Sequence, residues 1–438
     1  MKIHFIGIGG IGISGLAQYM HYKGHEVSGS DIKDTVITKK LRDMGITVSV
    51  PHNADAIDDQ DLVIHSAIIR PDNPEVIAAK EKGIEVLARR EALLKILDDK
   101  KVYSVAGAHG KSTTTAILTA IMEGSAIIGA ESKAFGSNVR YDETNDLMIF
   151  EADESDGSFI NSNPYCSIVI NAEPEHMEYY DYNYDRFYDS YKTFIRKAPH
   201  KVLNAEDPFL ATLKDEFNDA TWLYPSEDIT KIEFVLINDE PHTRFTLKDL
   251  GSFDVWGFGK HIAIDAALAI LAANESMDIE TIRQNLLNFK GIKKRFDIVG
   301  KENNSVIIDD YGHHPTEIKA TFQSVKEYAE LKGFEKITAI WQPHKYSRTI
   351  DNLDEFIKCF EGAEELIILP VWAAGETPRD IDFAEKFKHY NLTLADKLQR
   401  ADNKITIVRG QEELKTLDNG LIIGFGAGDI TYQIRGIA

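Results

Sequence analysis

Residues 102–115 read V-Y-S-V-A-G-A-H-G-K-S-T-T-T, and they limit the fold more than any other stretch. Residues 102–105 have the apolar run of a short buried strand, and residues 111–122 place Ile117, Leu118, Ile121 and Met122 on one helical face. Between strand and helix lie Gly107, Ala108, His109, Gly110, Lys111, Ser112 and Thr113. Such a turn is an anion cradle. The unpaired N–H groups of the first helical turn point at phosphates, Lys111 adds a positive charge, and the Ser112 hydroxyl suits a magnesium ion. A full nucleotide-binding loop carries a further glycine where this chain has Val105, so the local pattern fits both a phosphate site and an ordinary glycine turn.

A second glycine turn opens the chain. A strand candidate over residues 2–8 runs into Gly7-Ile8-Gly9-Gly10-Ile11-Gly12, a helix follows, and a strand over 27–30 ends at Asp31. A glycine turn with an acid about twenty residues on is a dinucleotide-binding signature. The same backbone takes any diphosphate, NAD or a UDP-sugar alike. The structural alternative makes Asp31 the cap of a helix over 35–44. Strand and helix signals then alternate through 46–50, 62–65, 74–82, 85–87 and 89–97, with the polar run His65-Ser66-Ala67-Ile68 at a strand end. A charged join at 98–101 closes this first part.

In the second part, a strand over 147–150 leads to Glu151-Ala152-Asp153-Glu154-Ser155-Asp156, and one over 166–170 leads to Asn171-Ala172-Glu173-Pro174-Glu175-His176. Carboxylates at strand ends beside a phosphate loop suit a hard cation, and a solvated acidic loop is the alternative. The tyrosines between 179 and 191 are read as helix-edge packing, and residues 232–236 and 243–247 as two antiparallel strands at a sheet edge. Helices are expected over 262–273 and, capped by Asp278, over 279–287. The basic run 289–296 marks a linker.

The third part repeats the plan. Strands over 305–308, 337–341, 366–369, 406–408 and 421–424 end in polar loops, among them Asp309-Asp310-Tyr311-Gly312-His313-His314-Pro315 and residues 342–349. The expected architecture is three α/β domains, 1–98, 99–292 and 293–438.

Forty-nine basic residues against 70 acidic ones give a formal charge of −21, which disfavours nucleic acid and anionic membranes as partners. Cys166 and Cys359 are read as buried thiols, and no apolar run is long enough to span a bilayer. A cytoplasmic protein, monomer or homodimer, is expected. A plain NTPase does not need the first glycine turn, and a dehydrogenase does not need Lys111 with Glu151. An ATP-driven enzyme acting on a nucleotide-linked substrate uses both.

These motifs, in this order, resemble the bacterial Mur ligases over nearly the whole chain: residues 5–12, 65–68, 108–115, 151–156, 309–315, 342–349 and Gly426 to Ile430. The resemblance implies a Rossmann-like N-terminal domain binding a UDP-sugar, a P-loop-type central ATPase domain and a Rossmann-like C-terminal domain binding the incoming amino acid. It implies ATP and Mg2+, UDP-N-acetylmuramate and L-alanine. The sugar carboxylate becomes an acyl phosphate and is attacked by the alanine amine, leaving an amide, ADP and phosphate, with domain closure shielding the reaction from water. Gly9, Gly10, Ile11, Gly12, Asp31, His65, Ser66 and Ala67 are then assigned to the UDP-sugar. Residues 107–113 and His261 fall to ATP, and Ser112, Glu151 and His176 to the metal. Asp310, His313, Lys345 and Arg348 fall to the amino acid and closure, with Arg348 on the alanine carboxylate, and Lys111, Glu151, His176 and Arg348 act in catalysis. The chain departs from the family pattern at Ser112, usually threonine, at Glu175, usually aspartate, and at Ile262 and Asp265, both usually asparagine. Lys345 replaces a commoner arginine and Asp297 a glutamate. Rival readings are a ligase of the same superfamily taking a tripeptide, an NAD-dependent oxidoreductase and a noncatalytic nucleotide-binding scaffold.

Overall fold

The computed structural model describes residues 1–302 and 304–437. Its contacts divide the chain into two compact units. The first holds Met1–Thr230, Thr246–Phe253 and Ile264–Lys290; the second holds Lys231–Phe245, Asp254–Ala263 and the chain from Gly291 on.

The first unit contains two sheets. Strands β1 (Lys2–Ile6), β2 (Glu26–Ser30), β3 (Thr47–Ser49), β4 (Leu62–His65) and β5 (Glu85–Ala88) form a parallel sheet in the order β3-β2-β1-β4-β5. Helices α1 (Ile11–Tyr22), α2 (Val36–Asp43), α3 (Pro74–Glu81) and α4 (Arg89–Ile96) connect and follow these strands. The strand order reverses between β1 and β4, the crevice where open parallel sheets place ligands.

The second sheet runs β12-β11-β10-β6-β9-β7-β8. Its strands are β6 (Lys101–Ala106), β7 (Ser125–Ser132), β8 (Ser137–Arg140), β9 (Leu147–Glu151), β10 (Pro164–Val169), β11 (His200–Asn204) and β12 (Thr221–Leu223), with α5 (Lys111–Ile121) after β6 and α6 (Tyr184–Lys197) after β10. Only the β7–β8 pair is antiparallel. Helix α1 ties the two sheets together. A Cβ on Gly15 would lie 2.9 Å from Ile127 of β7, and Gln18 Nε2 donates to Asn138 Oδ1 of β8 at 3.0 Å. One apolar core accordingly runs from Ile3, Phe5 and Leu16 to Phe150, Phe187 and Tyr191. Tyr180 and Tyr191 are buried there, the packing role expected of the tyrosine-rich segment.

A short helix, α7 (Pro225–Asp228), precedes β13 (Ile229–Ile237), β14 (Glu240–Leu247) and β15 (Ser252–Trp256), which form a separate three-stranded sheet. The strands expected as an edge of a larger sheet thus pair among themselves. Helices α8 (Lys260–Ala273) and α9 (Ile279–Leu286) follow, and Asp278 caps α9 by accepting from Thr281 N at 3.0 Å. The last crossing of the chain into the second unit falls between Lys290 and Gly291, inside the basic run.

The second unit carries β16 (Asp297–Glu302), β17 (Ser305–Asp310), α10 (Pro315–Lys332), β18 (Ile337–Trp341), α11 (Tyr346–Asp351), α12 (Leu353–Phe356), β19 (Glu365–Ile368), α13 (Phe383–Lys386) and β20 (Leu392–Leu394). It ends with β21 (Lys397–Ala401), β22 (Lys404–Arg409), β23 (Glu412–Leu417), β24 (Gly420–Phe425) and α14 (Ile430–Arg435). The main sheet is β16-β17-β24-β18-β19-β20, parallel except at β16. Residues 406–408, expected as one more parallel strand, lie instead in the antiparallel sheet β21-β22-β23. Both cysteines are buried and free, and among the described residues no helix is long and apolar enough to cross a membrane.

Candidate active site

The first glycine turn follows β1. Gly7 adopts φ +80°, and the N–H groups of Gly7 and Ile8 both donate to Ser30 O at 2.9 Å. Asp31 does not cap α2; Thr35 does, accepting from Thr38 N. Asp31 Oδ2 accepts the Gly9 N–H at 2.9 Å instead, and a Cβ at Gly9 would stand 2.7 Å from that oxygen. From the end of β4, Ser66 packs on Gly7, where a Cβ would meet it at 3.1 Å, and His65 Nδ1 lies 2.9 Å from Ser66 O. Ala67 is exposed beside them, as are Gly10 and Ile11. Gly9, Gly10, Ile11, Gly12, Asp31, His65, Ser66 and Ala67 therefore gather at the carboxyl ends of β1, β2 and β4.

The second glycine turn follows β6. Asn171, at the end of β10, clamps it: His109 N donates to Asn171 Oδ1, and Asn171 Nδ2 donates to His109 O, each at 3.1 Å. Gly110 holds φ +83°, a region that L side chains rarely adopt, and a Cβ there would meet Asp265 Oδ1 of α8 at 2.7 Å. Lys111 folds back, donating to Gly107 O at 2.6 Å and Ala108 O at 3.2 Å, and pairs with Glu154 Oε2 at 2.9 Å. Ser112 Oγ donates to Glu151 Oε1 at 2.9 Å, and Gly129 N to Glu151 Oε2 at 2.6 Å. Thr113, one residue on in α5, is half-buried.

Lys111 thus faces a nest of carboxylates. Burial pushes the Glu154 carboxyl up to about 7 against the pull of Lys111, and burial raises Glu151 as well. Burial opposes the charged form of Lys111, but Glu154, Asp153 and Glu151 outweigh it and hold the ammonium above its usual value.

His176 is exposed, at φ +52°. One ligand atom from each of Glu154, Glu175 and His176 lies within 4.8 Å of the others. Glu151 instead shares Ser112. Hard carboxylate oxygens with one imidazole fit a divalent cation, and the Ser112–Glu151 pair offers two more oxygens. Glu154, Asn171 and Gly129 belong to the site without having been singled out as ligands. Glu154 was visible only as part of an acidic run.

His261 sits exposed in the first turn of α8 and belongs to the second unit. In that unit Asp310 is buried and accepts the N–H groups of Phe296 and Gly312, each at 2.8 Å, while burial raises its carboxyl to about 6. It braces the backbone of its loop. Burial, reinforced by Arg348, pulls both His313 and His344 down to about 4, so both imidazoles are neutral at pH 7. Their rings meet edge-on at 5.7 Å, and Arg348 Nη1 lies 3.4 Å from His344 Nδ1. Arg348 and Lys345 have no carboxylate partner within 4 Å among the described residues. Arg295 of the basic run is spent on Glu317, 3.3 Å away.

The profile described as the Mur ligase family, catalytic domain, matches residues 2–101, and that of the Mur ligase, glutamate ligase domain, matches residues 294–426. The chain is 54% identical over 435 residues to the UDP-N-acetylmuramate–L-alanine ligase of Campylobacter curvus, covering 99% of each chain. It is 53% identical over 438 residues to that of Helicobacter pylori, covering 99% of this chain and 96% of the relative. Among solved structures, the UDP-N-acetylmuramate–alanine ligase of Thermotoga maritima superimposes with TM-score 0.82 at 27% identity, over 100% of this chain and 98% of that one. A murein peptide ligase from Psychrobacter arcticus shares the fold alone, with TM-score 0.63 at 19% identity over 100% and 99% of the two chains.

Proposed function

We propose, from the fact that this chain belongs to the Mur ligase family, that it joins L-alanine to the carboxylate of UDP-N-acetylmuramate while ATP is cleaved to ADP and phosphate. The observation that carries this reading is the full-length 54% identity to a ligase of that activity. It favours alanine over a tripeptide as the amine. The site is consistent with it, and a cytoplasmic location supplies the ATP.

In this reading the 1–98 region binds the UDP-sugar at the first glycine turn, 99–292 binds ATP at the second, and 293–438 binds the amino acid. Lys111 leaves the Gly107 and Ala108 carbonyls and meets the terminal phosphates of ATP. There its charge stabilises the negative charge that builds on the transferring phosphoryl group. The sugar carboxylate oxygen attacks phosphorus and ADP leaves. The alanine nitrogen then attacks the acyl carbon, loses a proton, and inorganic phosphate departs with the C–O bond electrons. Magnesium, when bound, neutralises phosphate charge, and Ser112 with Glu151 and Glu154 with Glu175 and His176 are the side chains that would hold it. Arg348 takes the alanine carboxylate in a planar, two-bond pairing. With His313 and His344 neutral, the cationic charge of that loop is carried by Arg348 and Lys345.

Phosphate release from Mg-ATP and UDP-N-acetylmuramate tests the reading, with L-alanine, the tripeptide or no amino acid added. Release that needs L-alanine and yields a product heavier by one alanyl residue is expected. Release that needs the tripeptide would replace the alanine reading.

A further inference from the structure

The first glycine turn has no cation of its own. Residues 7–12 are glycines and isoleucines, whereas the second turn carries Lys111. A diphosphate on the first turn would bring two negative charges to a helix N-terminus that supplies only backbone donors. The missing charge lies close by, on Arg89 at the start of α4. Its guanidinium covers Gly12 so closely that a Cβ there would stand 3.1 Å from both Cζ and Nη1.

Arg89 donates no side-chain hydrogen bond among the described residues, although its side chain is only 13% exposed. Its nearest acids are Asp156 at 3.6 Å and Asp153 at 3.9 Å, both beyond hydrogen-bond length. Both acids also accept from their own loop, Asp156 through Oδ1 while its Oδ2 faces Arg89. Asp153 accepts the N–H and hydroxyl of Ser155, at 3.1 and 2.9 Å, and Asp156 accepts Ser158 N at 3.0 Å. Arg89 Nε is fully buried with no hydrogen-bond partner. A buried guanidinium with unmet donors is costly to maintain unless a ligand completes it.

We propose that Arg89 is the cation that binds the diphosphate of the sugar nucleotide, forking its N–H donors onto phosphate oxygens above Gly12. This rests on the UDP-sugar reading of the first turn and adds to it a residue that the turn's own motif does not contain. The loose contacts to Asp153 and Asp156 keep the guanidinium in place and leave its hydrogen bonds for the ligand. The loss of so charge-assisted a contact is worth about 10- to 100-fold in affinity.

The test is calorimetric titration of the full chain with UDP-N-acetylmuramate, without ATP, for wild type, Arg89→Gln and Arg89→Lys, alongside steady-state kinetics. Arg89→Gln is expected to weaken binding about 10- to 100-fold and to raise KM for the sugar nucleotide by a similar factor. Its kcat at saturating substrate and its thermal midpoint should stay near wild type. Arg89→Lys should recover part of the affinity, because the charge returns without the fork. Equal affinity of wild type and Arg89→Gln would overturn the assignment, as would a fall in kcat and thermal midpoint with unchanged KM. A wild-type protein that neither binds nor turns over UDP-N-acetylmuramate would overturn the function reading itself, a result distinct from the failure of Arg89 alone.

Discussion

The two glycine turns of the first unit share one plan, strand into turn into helix, yet they are finished by opposite chemistry. In the first, a carboxylate closes the turn: Asp31 accepts the Gly9 N–H and fills the space a Cβ would need. In the second, the turn closes on its own lysine, with Lys111 bonded to Gly107 and Ala108 carbonyls and paired with Glu154. The first must take its positive charge from another helix. The second has charge to spare but holds it among acids. A turn whose cation is internal can direct that cation at reacting atoms, and a turn without one can only hold a ligand. In the proposed function this difference divides phosphoryl transfer from substrate binding.

Removing the internal cation breaks the comparison most severely. Lys111→Ala is expected to lower kcat for ATP-dependent phosphate release by about a thousandfold, the usual scale for losing a group aimed at developing charge. A loss under tenfold in a steady-state assay would mean that Lys111 is not that group.

Backbone geometry gives the next largest effect. A Cβ at either Gly9 or Gly110 would meet a carboxylate oxygen at 2.7 Å, but only Gly110 also has positive φ, at +83°. Gly110→Ala should cost about 2–3 kcal/mol of unfolding free energy and Gly9→Ala about 1–2 kcal/mol. Urea unfolding of both variants reads the order directly, and a reversed order would contradict the strain argument.

The smallest effect sharpens the picture of how Lys111 is held. In the folded chain Glu154 keeps its proton up to about 7, against an ordinary 4.5. A folded-state pKa raised in this way contributes stability below the unfolded value that is lost as pH rises toward the folded one. The same titration sets the competition for Lys111. Above about pH 7 Glu154 is ionised and a nucleotide must displace it; below, it is neutral and grips less. Glu154→Gln is therefore expected to bind ADP a few-fold more tightly than wild type at pH 8 and about equally at pH 6, by calorimetry without magnesium. A pH-independent ratio would show that Glu154 does not compete.

What could be read from the sequence follows the same division. Lys111, Ser112 and Glu151 stand at strand ends within contiguous motifs, and β6 and β9 lie side by side, so adjacency in the sheet brings together what the motifs announce. Arg89 enters through space, from α4, with no local spacing to signal it, whereas Asn171 and Glu154 lie inside strand-end runs whose spacing did not single them out. The fold shows the same limit. Parallel strands with buried faces were legible, and so was the neighbouring of β13 and β14, whereas β21 and β23 are largely exposed and carry too little apolar alternation to show that these strands form small sheets of their own. The β7–β8 hairpin, which receives α1, carries small and polar residues such as Ser125, Gly129 and Asn138 and gave no strand signal.

The most direct test of the division between the turns is calorimetric titration of Lys111→Ala with UDP-N-acetylmuramate, set beside its Mg-ATP turnover. The account predicts wild-type affinity for the sugar nucleotide in a variant whose phosphate release has collapsed. Loss of sugar-nucleotide binding together with turnover, or turnover that survives the substitution, would contradict it.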